Sequence, residues 1–352
     1  MDRSRRDQCE TVMVAAIFSS LLVALAFSSA EAKSRKPETS KAAPDLVWPL
    51  PPESPRIRYV ETFTGTADYK KPSRWRRVLL GPETDSGIVL RKPYGVATDS
   101  AGRVYVSDTG LGAVVVFDRT ARSVRTIGDS GRIRLVTPIG IALDDQERLF
   151  VADAGLSQVF RFDANGDAVL ALGRDQGLKS PAGIAIDRNR HRLYVVDTQL
   201  HQILLYSTDG EFQGRWGQRG PAAGEFNFPT NVAVDTAGNV YVVDTGNFRV
   251  QALDPDGKPL SSFGRPGDAL GSFHRPKGIG LDSQGHLYVV DAAFNNFQIF
   301  DAEGHLLLDV GTTGQEPGSF WLPAGIHIDG SDRVYVVDQI NRRVQVFQYM
   351  KQ

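Results

Sequence analysis

The stretch VYVVDTGNFRVQ occupies residues 240–251, and VYVVDQINRRVQ occupies 334–345. Its opening phrase recurs as VYVSD at 104–108, LFVAD at 149–153, LYVVD at 193–197 and LYVVD at 287–291. The six phrases end in Asp108, Asp153, Asp197, Asp244, Asp291 and Asp338, spaced 45, 44, 47, 47 and 47 residues apart. A fixed period of this size marks a repeat architecture and outranks any local reading.

One repeat, residues 226–264, holds four strand-length runs: NVAVD, NVYVVD, RVQALD and PLSSFG. They are rich in Val and aromatics, and DTAG and DPDG separate the first pair and the last pair. Aspartate accepts backbone hydrogen bonds in such turns, and glycine takes the positive-φ position. Each repeat therefore reads as a four-stranded antiparallel meander, strands a to d. Pro93, Pro138, Pro181, Pro229, Pro276 and Pro323 open strand a. Glycine follows two residues later in five copies, and Asn231 takes that place in the fourth. The strand-b aromatic is Tyr105, Phe150, Tyr194, Tyr241, Tyr288 or Tyr335, a ring placed to pack between neighbouring sheets.

A lone four-stranded sheet cannot bury both faces, but six arranged radially can. The expected fold is all-β, a six-bladed β-propeller with repeats near 92–128, 135–173, 178–217, 226–264, 273–311 and 320–350. The last repeat lacks an outer strand. RYVETFTG at 58–65 resembles outer strands of other repeats and is expected to complete that blade, leaving no open edge. Within the following insert, SRWRRVLL at 73–80 is expected to form a short amphipathic helix.

Ahead of the repeats, Arg3, Arg5 and Arg6 precede an uncharged run at 11–29 and then Ala30-Glu31-Ala32. This is the layout of a secretory signal peptide over 1–32, and it implies a periplasmic or secreted protein, or a membrane-anchored one if the segment is not cleaved. Cleavage would remove Cys9, the single cysteine, and leave 37 acidic and 37 basic residues. Residues 33–56, rich in Pro, Lys and Ser, read as an extended tether.

The unit F-x-x-P-x-G-[IV]-A-[IV]-D-x-x-G-x-[LV]-Y-V-x-D-x-x-N-x-R-V-Q resembles the NHL repeat over about residues 57–350. The resemblance implies a six-bladed propeller. The Asn-x-Arg element is present as Asn247/Arg249 and Asn341/Arg343. Leu111/Ala113, Leu156/Gln158 and Leu200/Gln202 stand there in the first three copies.

Two enzyme families share this shape. In amidating lyases that resemble NHL proteins, zinc-binding histidines follow the strand-a proline. Here those positions are Tyr94, Ile139, Ala182, Thr230, Lys277 and Ala324. Gluconolactonase-type propellers hold a divalent metal on inner-strand Asn, Asp and Glu, and only Asn231 occupies a comparable place. Of six histidines, His327 alone interrupts an inner strand, where it is either a channel-lining group or a hydrogen-bonded core residue. The twelve recurrent aspartates at the ends of strands a and b read as turn and loop caps. No catalytic residue, metal site or cofactor is assigned.

Loops fall on two faces. On the d–a/b–c face 13 bases, including Arg249, Arg275, Lys277, Arg342 and Arg343, stand against five acids once the strand-b aspartates are set aside. The opposite face carries 18 acids and nine bases. One-sign surfaces steer oppositely charged partners. The expected function is therefore an exported binding or scaffolding propeller. It would dock a protein or anionic polymer of the cell envelope through Arg249, Lys277, Arg343, Arg342, Arg275, Tyr94, Asn231 and His327. The alternatives are a lyase- or lactonase-like enzyme with a ligand site in the channel, and an RNA-binding NHL module using Phe248, Phe294 and Trp321. Export argues against RNA.

Overall fold

The computed structural model describes residues 46–69, 87–131 and 133–351. Among these, 25 strands form six antiparallel sheets, five of four strands and one of five. The sheets are the six expected blades. In blade 4 the strands a to d are Pro229–Val234, Val240–Asp244, Arg249–Leu253 and Pro259–Phe263. Strand a opens on its proline and strand b closes on its aspartate in every blade. The proline pairs with that aspartate, as in Pro93↔Asp108. The register then slips before Val96↔Val106. This bulge frees one residue after each proline from the regular ladder.

Strand b is buried on both faces, which explains its continuous run of apolar residues. The core is divided among the blade interfaces. Tyr105, Val114 and Val116 of blade 1 pack on Ile141, Val151 and Phe160 of blade 2. Tyr335, Val337 and Val346 of blade 6 pack on Val96, Val106 and Phe117 of blade 1, closing the ring. Four of the five strand-b tyrosines also donate their hydroxyls to the aspartate after strand a, Tyr105 to Asp99 and Tyr288 to Asp282 at 3.0 Å, Tyr335 to Asp329 at 3.1 Å and Tyr241 to Asp235 at 3.3 Å.

The inner strands of neighbouring blades touch along the axis. A Cβ on Gly95 would overlap the Ile139 carbonyl, and one on Gly325 would overlap the Tyr94 carbonyl. The recurrent glycine therefore reflects backbone-to-backbone approach between blades rather than an unusual φ.

The seam forms as expected. Ile57–Phe63 pairs with Arg343–Tyr349, with Tyr59 opposite Phe347 and Phe63 opposite Val344. The tether reading is corrected over residues 46–56. Val47–Trp48 adds a fifth strand against Ile57 and Arg58, and Trp48 meets Phe347 edge-on at 5.7 Å. Leu46 and Trp48 have apolar surface to bury, and they cover the outer edge of blade 6. Residues 33–45, the expected helix at 73–80 and the signal peptide lie outside the described residues.

A chain beginning at Thr66 loses Ile57, Tyr59 and Phe63, which are 0%, 8% and 2% exposed. Each fully buried side chain of this size contributes roughly 1.5–3 kcal/mol. Denaturant unfolding of that truncation should show a loss of several kcal/mol, or no folding transition. A melting curve matching the full chain would contradict the seam.

Candidate functional site

The d–a/b–c face is built on six buried carboxylates. Asp108, Asp153, Asp197, Asp244, Asp291 and Asp338 are all 0% exposed. Each accepts hydrogen bonds from the loop before its own blade. Asp108 takes the N–H of Arg91 at 2.6 Å and of Lys92 at 2.9 Å. Asp153 takes those of Val136 and Thr137, and Asp291 those of His274 and Arg275. The same carboxylates cap the b–c loop, Asp108 through the N–H groups of Gly110 and Leu111. The aspartates are caps, as the repeat pattern implied. All six b–c loops follow one path, with a left-handed residue just before strand c: Gly112, Ser157, His201, Phe248, Asn295 and Arg342.

Two residues expected to dock a partner belong to this scaffold instead. Arg249 donates Nε to Asp244 at 2.9 Å and Nη2 to the Ala222 and Glu225 carbonyls. Arg343 donates Nε to Asp338 at 2.7 Å and its remaining nitrogens to the carbonyls of Gln315, Glu316 and Ser319. Asn247 and Asn341 join the same carboxylates at 2.8 Å. The Asn-x-Arg element thus holds a long d–a loop and presents no free charge. Buried Gln251, Gln298 and Gln345 do the same, each accepting from a loop glycine and donating to the next carbonyl. Blades 1 to 3 have Val115, Phe160 and Leu204 at those glutamine positions.

The cations left exposed on this face include Arg91, Lys92, Arg219, Arg275 and Arg342. Arg219 lies over the Phe228 ring at 5.9 Å. Among them stand Val136, Phe228, Trp321 and Ile340, exposed by 52%, 45%, 46% and 48%. All four sit in d–a or b–c loops. Trp321 and Ile340 adjoin, the Ile340 N–H donating to the Trp321 carbonyl at 3.1 Å. Phe248, expected as a contact residue, packs against the core between blades 4 and 5. Phe294 is half-buried beside His274. Phe228 and Val136 were not singled out in the sequence. Their signal is an apolar residue just ahead of the strand-a proline, where the chain is already on the surface.

Asn231 and His327 line the channel, and Tyr94 and Lys277 stand at the d–a/b–c end of their inner strands. Tyr94 and Lys277 occupy the bulge position of blades 1 and 5, and the Lys277 Nζ lies 5.1 Å from the Tyr94 ring centroid. Asn231 takes the glycine slot of blade 4, and its Oδ1 accepts from the Val232 N–H. Behind the glycine ring lies a cavity of about 230 Å³, lined by Gly95, Asn231, Ile279 and His327 among others. It meets a wider mouth at the a–b turns, where Asp145, Glu147 and Arg188 gather. His327 bonds Thr98 Oγ1 through Nε2 at 2.9 Å. Burial lowers its pKa to about 4, so it is neutral at pH 7. His327 lines both the cavity and its wider mouth, and neither Tyr94 nor Lys277 lines either. On the outer face Asp301, Glu303 and His305 lie within metal-ligand reach of one another, but Asp301 already caps its turn through His305 N and Nδ1.

Lys277 is 9% exposed, and burial, then Arg275 and Lys92, lower its pKa to about 8. In the unfolded chain it returns to the ordinary lysine range near 10.5. Between these values the unfolded state holds the extra proton, so stability rises with pH. The full shift corresponds to about 3 kcal/mol. Urea unfolding from pH 7.5 to 10 should show this rise in the wild type and not in Lys277→Met. Parallel pH profiles would contradict a buried ammonium.

Comparison with known proteins agrees with the architecture. The NHL repeat family model matches residues 226–253, strands a to c of blade 4. No curated protein matches. Among solved structures, a streptogramin B lyase superposes with a TM-score of 0.58 at 12% identity, covering 75% of this chain and 96% of that one. A gluconolactonase from Xanthomonas campestris gives 0.58 at 18% identity, covering 83% and 98%. A chain of a nidogen–laminin complex gives 0.52 at 21%, covering 72% and 88%. These likenesses are of fold. The chain is a six-bladed β-propeller that carries the NHL repeat.

Proposed function

We propose that the chain is an exported binding module that docks an acidic protein partner on its d–a/b–c face. The observation that carries this reading is the exposure of Val136, Phe228, Trp321 and Ile340 among the free cations of the same face. Trp321 and Ile340 adjoin, and the other two share their face; exposed apolar side chains among arginines suit a protein interface, where an aromatic beside an arginine is a common anchor. Free cations add steering toward an acidic surface. A polysaccharide would reward the charges and stack on Trp321 and Phe228, but would leave Val136 and Ile340 without partners. Fold likeness is neutral here, since propellers of this shape include two enzymes and a chain of a protein–protein complex. Export rests on the N-terminal signal pattern.

A ligand site in the channel is the second reading, carried by the cavity of about 230 Å³.

Docking is tested with residues outside the scaffold. Residues 33–352 and a Lys92→Glu/Arg275→Glu/Arg342→Glu/Trp321→Ala variant serve as baits for envelope extract, at low and physiological salt. The wild type should retain an acidic protein that the variant loses, with both baits melting alike. Equal capture by both, or capture of carbohydrate alone, would contradict the proposal.

A further inference from the structure

At the bulge position the six blades present Tyr94, Ile139, Ala182, Thr230, Lys277 and Ala324 around the axis. Lys277 belongs to blade 5 and Tyr94 to blade 1, with blade 6 between them. The small Ala324 leaves the space that lets the Lys277 Nζ reach the Tyr94 ring. The two side chains meet at the d–a/b–c end of the inner strands, the mouth on the proposed docking face.

This ammonium is unusual in three respects. Lys277 is 9% exposed, and its Nζ faces the Tyr94 ring rather than a carboxylate. Its charged neighbours are Arg275 and Lys92, both of its own sign. Tyr94 supplies a ring face and a hydroxyl whose ionisation burial opposes. A buried ammonium without a counter-ion is costly, and proteins of this kind normally pair or neutralise it. Half-buried Arg249 and buried Arg343 on this face have such a pair, in Asp244 and Asp338.

We propose that the Lys277–Tyr94 mouth is a receptor for a single carboxylate group. One ammonium and one phenol suit the two oxygens of one carboxylate, with Arg275 and Lys92 completing a positive rim. A phosphate site built on backbone amides is closed here, because the N–H groups of Arg91, Lys92, His274 and Arg275 are held by Asp108 and Asp291. The carboxylate comes either from a free acid or from the docked partner. In the second case the inference rests on the docking reading.

The test measures the reactivity of the Lys277 amine in the full chain. Competitive labelling with fluorodinitrobenzene, read by mass spectrometry across pH, follows its protonation. The additions, at equal ionic strength, are chloride, acetate, N-acetyl-tetraalanine with a free C-terminus and the same peptide amidated. A bound carboxylate holds the proton on Nζ, so acetate or the acid peptide should slow labelling several-fold near pH 8, with the amidated peptide and chloride inert. A stronger effect of the acid peptide than of acetate assigns the source to a polypeptide, and the reverse assigns it to a free acid. Lys277→Gln, checked for a cooperative melting transition, should no longer bind the acid peptide in a direct titration, and Tyr94→Phe should weaken it. If all four additions give one labelling curve, the proposal is wrong. Partner capture is a separate readout. Capture without any carboxylate effect overturns this site and leaves docking standing. A carboxylate effect without capture does the reverse.

Discussion

Six carboxylates buried at the ends of the second strands are the constraint on which the rest of the molecule depends. A carboxylate removed from water must find donors, and at these positions the donors are backbone N–H groups of two separate loops. Asp153, for example, takes Val136 and Thr137 from the loop entering its blade and Leu156 from the loop leaving strand b. The arrangement turns irregular chain into a fixed surface. It also decides which side chains that surface can offer, since residues whose amides are tied inward project their side chains outward.

The propeller is built in two styles on this one plan. Blades 4 to 6 are entered by long loops in which Phe226, Phe273 and Phe320 are fully buried and the amides of Gln251, Gln298 and Gln345 bond the loop backbone. Blades 1 to 3 have apolar residues at those glutamine positions, and Leu135 and Leu178 plug the shorter entries to blades 2 and 3. Neighbouring blades are latched by the residue after the capped aspartate. Thr198 and Thr245 each donate to the carbonyl of the next blade's first proline at 2.8 Å, and Gln339 reaches Pro93 across the seam at 3.2 Å.

The repeat made the fold legible because each blade writes the same solution to the same packing problem. Strand limits, capping aspartates, inner glycines and the seam all follow from period and residue type. The site was less legible. Arg249 and Arg343 read as free cations beside a loop, and only their five-residue separation from Asp244 and Asp338 hints at an internal pair. Lys277 and Tyr94 lie far apart in sequence, and their meeting depends on ring geometry and on the small size of Ala324. Trp48 lay in a proline-rich segment whose composition spoke for a tether, although its ring belongs to the outer edge of blade 6. Function that resides in differences between blades leaves no periodic signal.

The aspartates that cap the d–a and b–c loops hold them as one fixed surface. Native-state amide hydrogen exchange on the wild type and on Asp153→Asn tests it most directly. The account predicts that Val136, Thr137 and Leu156 are protected like strand amides in the wild type. In the variant they should lose protection while inner-strand amides of other blades keep theirs. Loop amides that exchange as freely as exposed chain in the wild type, or that are unaffected by the substitution, would contradict it.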